Sequence, residues 1–173
     1  LIYLPWDREI NAEGNLVMPS FKNAHAHSPM VFLRSLADDT ALDEWLNTQI
    51  FPREAKLTAD DCYWLTKLAV AEYVSGGISL ASDMYFHLDG IAEACKECGF
   101  RNVILEGITE GNGPKDKLFK RLEWGMDTMA KMGSLIEYRL GLHAEYTNSE
   151  ENIKAMAEFA KAHKMPVYTH LSE

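Results

Sequence analysis

The chain has 173 residues, with 17 lysines and arginines against 26 aspartates and glutamates, for a formal net charge of −9 at pH 7. That balance excludes a nucleic-acid partner held by clustered cations, and a composition of 47% hydrophobic and 25% charged residues excludes a disordered chain. No apolar run approaches the ~20 residues that span a bilayer, and the opening LIYLPWDREI lacks the basic start and small-residue cleavage site of a secretory leader.

Three cysteines, Cys62, Cys95 and Cys98, make no disulfide framework and suit a reducing cytoplasm. Cys95 and Cys98 form a CKEC pair late in a helical stretch, whereas a redox CxxC sits at a helix N-terminus, where the dipole favours the thiolate. Their expected role is structural or incidental.

In chain order, Leu16–Val17–Met18–Pro19 leads into a strand that ends near His27. Thr58, followed by Asp60 and Asp61, is an N-cap for a helix over DDCYWLTKLAVAEYVS, which Gly76–Gly77 stops. ISLASDM reads as a second strand, DGIAEACKEC as a helix closed by Gly99, and RNVILEG as a third strand. A helix through LFKRLEWGMDTMAKM precedes a fourth strand, YRLGLHA. Asn148 or Ser149 caps the helix ENIKAMAEFAKAH, and PVYTHLSE is a fifth strand. Short apolar strands alternating with amphipathic helices predict right-handed βαβ units around a parallel sheet. An open doubly wound sheet and a (β/α)8 barrel both satisfy that pattern. No GxGxxG or GxxxxGK[ST] follows any strand, so nucleotide-phosphate binding of those types has no support.

The strand ends carry histidine instead. His25 and His27 close the first strand, His143 the fourth and His170 the fifth. On a strand, residues two apart point to the same face, about 6–7 Å from each other. Two imidazoles so placed can share one metal ion, or can simply decorate a half-exposed strand. Polar residues gathered at C-terminal strand ends are how a barrel builds its active site, and this favours the metal.

VMPSFKNAHAHSPM resembles the first-strand motif of the metal-dependent amidohydrolases, and the resemblance continues through FLRSLADDTALDEWLNTQIFPREAKLT, SGGISLASDMYF, GLHAEYTNSEE and VYTHLSE. The branch it is similar to contains the S-adenosylhomocysteine and 5′-methylthioadenosine deaminases, with guanine deaminase and s-triazine chlorohydrolases as cousins. The resemblance implies an α/β fold, the first five β/α units of a (β/α)8 barrel over residues 19–173. Residues 1–18 would be the end of a small β-sandwich domain and its lead-in. It implies His25, His27 and His170 as ligands of one divalent metal, zinc or else iron. Glu173 would carry a proton between the water activated there and a ring nitrogen of the substrate.

In the adenosine-handling relatives, a tryptophan at the place of Trp45 packs on the substrate and a glutamate at the place of Glu54 bonds the ribose hydroxyls. Without the resemblance these residues read as core and as a solvated charge. His143 matches a substrate-facing histidine, but where many relatives read His-Ala-Pro this chain reads His143-Ala144-Glu145, an added carboxylate near the expected pocket. His87 and His163 match nothing and read as incidental.

The implied activity is hydrolytic deamination of a purine nucleoside-like or other heteroaromatic amine, with hydrolytic dechlorination as the alternative within the class. A sixth-strand histidine and an eighth-strand aspartate, both expected of the family, have no counterpart up to Glu173. The chain therefore reads as a piece of a longer protein. An isolated fragment would be a non-catalytic or metal-binding module, and homo-oligomerisation is one way to cover its open sheet edge. Neither nucleic acid nor membrane is an expected partner.

Overall fold

The computed structural model describes residues 5–110 and 115–172. Five parallel strands form one sheet in the order β1-β2-β3-β4-β5, which is also chain order. They are β1 (Phe21–Ala26), β2 (Ile78–Tyr85), β3 (Arg101–Glu106), β4 (Ile136–Ala144) and β5 (Val167–His170). Each crossover adds one strand on the same side, the progression of a barrel and not of a doubly wound sheet, whose strand order reverses. The result is a half-barrel.

Between β1 and β2 the chain runs through a 3-10 turn (Ser28–Leu33), a short α1 (Leu42–Glu44), a π-helical turn (Trp45–Ile50), α2 (Phe51–Glu54) and α3 (Ala59–Ser75). The remaining helices are α4 (Leu88–Glu97), α5 (Lys115–Met129) and α6 (Glu150–His163). α3 starts where the sequence predicts, on a capping box: Asp61 N–H donates to the Thr58 hydroxyl, and Thr58 N–H to the Asp61 carboxylate at 2.8 Å. Ser149, not Asn148, caps α6. The segments at 28–33 and 41–54 were not legible as helices, because their apolar residues serve a cavity wall and follow no single 3.6-residue stripe. Residues 5–20 carry no strand.

Alternate strand residues, among them Ala26, Ala81, Ile104, Tyr138, Leu140 and Leu142, pack with Ile91, Cys95, Leu122, Met156 and Phe159 of the helices. The opposite parity, including His25 and His143, faces the concave side. Two glycines permit close approach. A Cβ on Gly90 would strike the Ala59 carbonyl, where α4 meets α3, and one on Gly141 would strike the Glu106 carbonyl, where β4 meets β3. The edge strands β1 and β5 are mostly exposed. Among the described residues no helix is long and apolar enough to cross a membrane.

Candidate metal centre and active site

His27 is the residue just after β1, where the chain turns into the 3-10 segment. Its place is set by the buried Asp83 of β2, whose carboxylate accepts from Ser28 N–H at 2.9 Å. The His27 ring turns its Nδ1 to the Met84 carbonyl at 2.6 Å, and the His170 ring turns its Nδ1 to the His143 carbonyl at 2.6 Å. A carbonyl only accepts, so both Nδ1 atoms carry the hydrogen and both Nε2 atoms present a lone pair.

Those lone pairs converge. His170 Nε2 lies 3.1 Å from His25 Nε2 and 3.3 Å from His27 Nε2. No hydrogen stands between His27 and His170, so their approach is repulsive unless a cation occupies the point they share. Zn–N bonds near 2.0–2.1 Å at tetrahedral angles place ligand nitrogens about 3.3–3.4 Å apart, which matches these spacings. The carbonyl contacts behind two of the rings are the outer bonds that orient metal-ligating histidines. The donor set therefore fits one divalent ion of the zinc type.

A cavity of about 260 Å³ opens over the cluster. His25, His27, His170, His143, Trp45 and Glu54 all line it, so every site residue anticipated from the sequence within the described range reaches one wall. Glu173 lies outside the described residues. Trp45 stands in the π-helical turn, a distortion frequent at functional sites. Glu54, at the end of α2, is buried, and burial pushes its carboxyl above the usual carboxylate range; a nearby Tyr85 hydroxyl partly offsets this. The Tyr85 oxygen nonetheless has no hydrogen bond of ordinary geometry, so its influence on Glu54 is electrostatic more than a formed bond.

His143 packs against His170 with ring centroids 5.0 Å apart, while Phe51 and Tyr146 approach it edge-on. Glu145 does not join the cavity wall: its carboxylate accepts from Ser172 N–H at 3.4 Å, bridging the ends of β4 and β5. The carboxylate expected near the pocket thus lies beside it, next in sequence to the lining Tyr146, and faces Ser172.

Sequence reasoning missed Met30, Phe51, Tyr85, Phe86 and Tyr146 in the wall. For three of them a signal existed, since Tyr85 ends β2, Phe86 follows it, and Tyr146 follows β4, all at C-terminal strand ends. His87 instead turns Nε2 to the Leu57 carbonyl at 3.0 Å, and His163 stacks on Phe159. Cys95 is buried in the core with its thiol pushed up to about 12 by desolvation, in keeping with a structural role for the CKEC pair.

Parallel strands in barrel order bearing a convergent histidine triad at their C-terminal ends define a half-barrel with a candidate metal site. More specifically, the chain belongs to the amidohydrolase family, whose model matches residues 16–173. It is 41% identical, over 99% of its own length and 40% of the relative's, to a 5-methylthioadenosine/S-adenosylhomocysteine deaminase of Symbiobacterium thermophilum. It is 38% identical to a 5′-deoxyadenosine deaminase of Methanopyrus kandleri, over 97% of this chain and 40% of that one. A zinc-bound adenosine deaminase from Xanthomonas campestris superposes with a TM-score of 0.78 at 32% identity, covering 88% of this chain and 36% of its own. The chain thus spans about two-fifths of the length of the curated relatives it matches.

Proposed function

We propose that the whole protein is a metal-dependent aminohydrolase that releases ammonia from adenosine-like nucleosides. The observation that carries this reading is the convergence of three imidazole Nε2 atoms within one cavity that also presents Trp45, Glu54 and His143. The names of the similar deaminases point to the same substrate class.

His25, His27 and His170 hold the ion, zinc being the choice that fits the nitrogen spacing and iron the alternative. Bound there, zinc supplies Lewis acidity that makes water a nucleophile near neutral pH. Glu173, three residues past His170 in sequence, takes a proton from that water and returns it to a ring nitrogen of the substrate. Trp45 covers a face of the base. Glu54 accepts from ribose hydroxyls, a role its burial strengthens because hydrogen bonds gain in a low dielectric. His143 faces the ring from the β4 side. The free cysteines are consistent with a reducing cytoplasm as the place of action.

The test is ammonia release by the whole, zinc-loaded protein from adenosine, 5′-deoxyadenosine, 5′-methylthioadenosine and S-adenosylhomocysteine. Turnover of at least one, lost on chelation and restored by zinc, is expected. Metal-replete protein that releases ammonia from none of them overturns the reading.

A further inference from the structure

Asp83 of β2 is 1% exposed. The groups its charge reaches include Cys62, Tyr73, Tyr85 and Cys95, none of them cationic. Among the described residues no lysine or arginine forms an ion pair with it. Two donors meet its carboxylate, Ser28 N–H at 2.9 Å and, more distantly, the Asn102 side-chain amide at 3.5 Å.

The first contact completes a turn. His27 opens the 3-10 segment without a side-chain cap, which leaves the N–H of the buried Ser28 to find its acceptor elsewhere. Asp83 supplies that acceptor, while the next residue, Met84, receives the His27 Nδ1 hydrogen on its carbonyl at 2.6 Å. Successive residues of β2 thus hold His27 by its ring and by the peptide that follows it. A neutral amide oxygen would satisfy Ser28 equally and would avoid burying a charge, which destabilises a fold unless it is paired. The charge therefore answers to a cation, and the place built for one is the point that His27 shares with His25 and His170.

We propose that Asp83 is a positioning residue of the metal centre, whose buried carboxylate aims His27 and serves as a counter-charge to the bound divalent ion. Asp83 does not line the cavity, so it is neither a ligand nor a substrate contact. The inference rests on the reading that the triad holds a metal. Its consequence is an opposition between the two states of the protein. Without the ion, the carboxylate is an unpaired buried charge; with the ion, its charge is offset. Removing the charge therefore weakens metal binding without destabilising the metal-free fold, whereas loss of a purely structural residue destabilises the metal-free fold.

Asp83→Asn is the variant that separates these roles. Asparagine has the same shape, and its carbonyl oxygen still accepts from Ser28 N–H. Its amide hydrogens can meet Asn102 Oδ1, which has no hydrogen-bond partner in the native arrangement, once the Asn102 amide turns over. Zinc affinity of the whole protein is measured by competition with a chromophoric chelator, and the metal-free form is unfolded in urea. Zinc affinity is expected to fall about 10–100-fold, the usual effect of losing a group behind a metal ligand, with the metal-free urea midpoint at or above that of the wild type. Wild-type zinc affinity in Asp83→Asn overturns the proposal. So does a metal-free variant with a lowered midpoint, including one too unstable to fold, because that result marks a structural role. Asp83→Ala, which frees the Ser28 N–H as well, is expected to bind zinc more weakly than Asp83→Asn; equal affinity in the two removes the aiming of His27. A wild-type protein that takes up no zinc defeats the metal reading itself, and this inference with it.

Discussion

His25 and His170 stand on the two outermost strands of a five-stranded sheet, yet their Nε2 atoms lie 3.1 Å apart. In a flat sheet, four strand spacings would separate β1 from β5 by about 19 Å. The accumulated twist and stagger of the strands bend the sheet until side chains from opposite edges meet over its concave face. The histidine cluster is thus a product of curvature, and β1 and β5 reach each other through it without sharing a hydrogen-bond ladder.

Removing either end of that bridge removes the site. His25→Ala and His170→Ala are each expected to retain far less than one equivalent of zinc and to lose ammonia release by more than about 100-fold. Loss of a mere supporting hydrogen bond behind a ligand already costs about 10–100-fold in metal affinity. Metal content by elemental analysis and a coupled ammonia assay check this, and wild-type activity in either variant sinks the ligand assignment.

Glu54 is a buried carboxyl that costs stability. Its carboxyl, ordinarily at 4.5, is held higher in the fold because burial opposes the charge. Between the unfolded and the folded value the native chain binds more protons than the unfolded one, so stability falls as pH rises through that window and stays lower above it. Glu54→Gln removes the buried charge. The variant is expected to be more stable than the wild type at neutral pH and to show a shallower loss from acid to neutral. Glu106, raised for the same reason, keeps its own share of the slope. Urea titrations at several pH values measure both. The same variant should lose about 10–100-fold in kcat/KM on a ribonucleoside, the usual worth of a hydrogen bond to a charged group.

The cysteines should sort by burial. Cys62 and Cys95 are buried, and desolvation pushes each thiol up to about 12, so neither offers thiolate at pH 8. Cys98 is exposed. A thiol reagent applied to the native protein, followed by peptide mapping, should label Cys98 alone of the three, with all three reacting after denaturation. Native labelling of Cys95 at the rate of Cys98 contradicts the packing of α4.

Gly141 of β4 lies against the end of β3, and an added Cβ would meet the Glu106 carbonyl. Backbone cannot swing aside as a side-chain tip can, so Gly141→Ala is expected to cost about 1–3 kcal/mol. It should also lower substrate affinity, because His143 lies two residues further along the same strand. Gly76→Ala is the control: at φ −85° with its nearest neighbour 3.4 Å away, it should shift stability by under about 0.5 kcal/mol. Denaturant midpoints for the two variants test the contrast.

The sequence by itself determined the succession of elements and the chemistry of their ends. Thr58 and Asp61 specify a helix start, Gly76–Gly77 its stop, and the i, i+2 spacing of His25 and His27 one shared face, because caps, turns and alternation act within a few residues. Family motifs extended that reach to His170, Trp45 and Glu54. Tertiary structure alone decided the rest. It set how far the sheet bends, that Glu54 is buried, that Glu145 turns to Ser172, and that Thr147 stands behind His143. Each of these depends on where distant segments stop relative to one another. That is a sum of small rotations over five strands and their helices, which no local pattern of residues encodes.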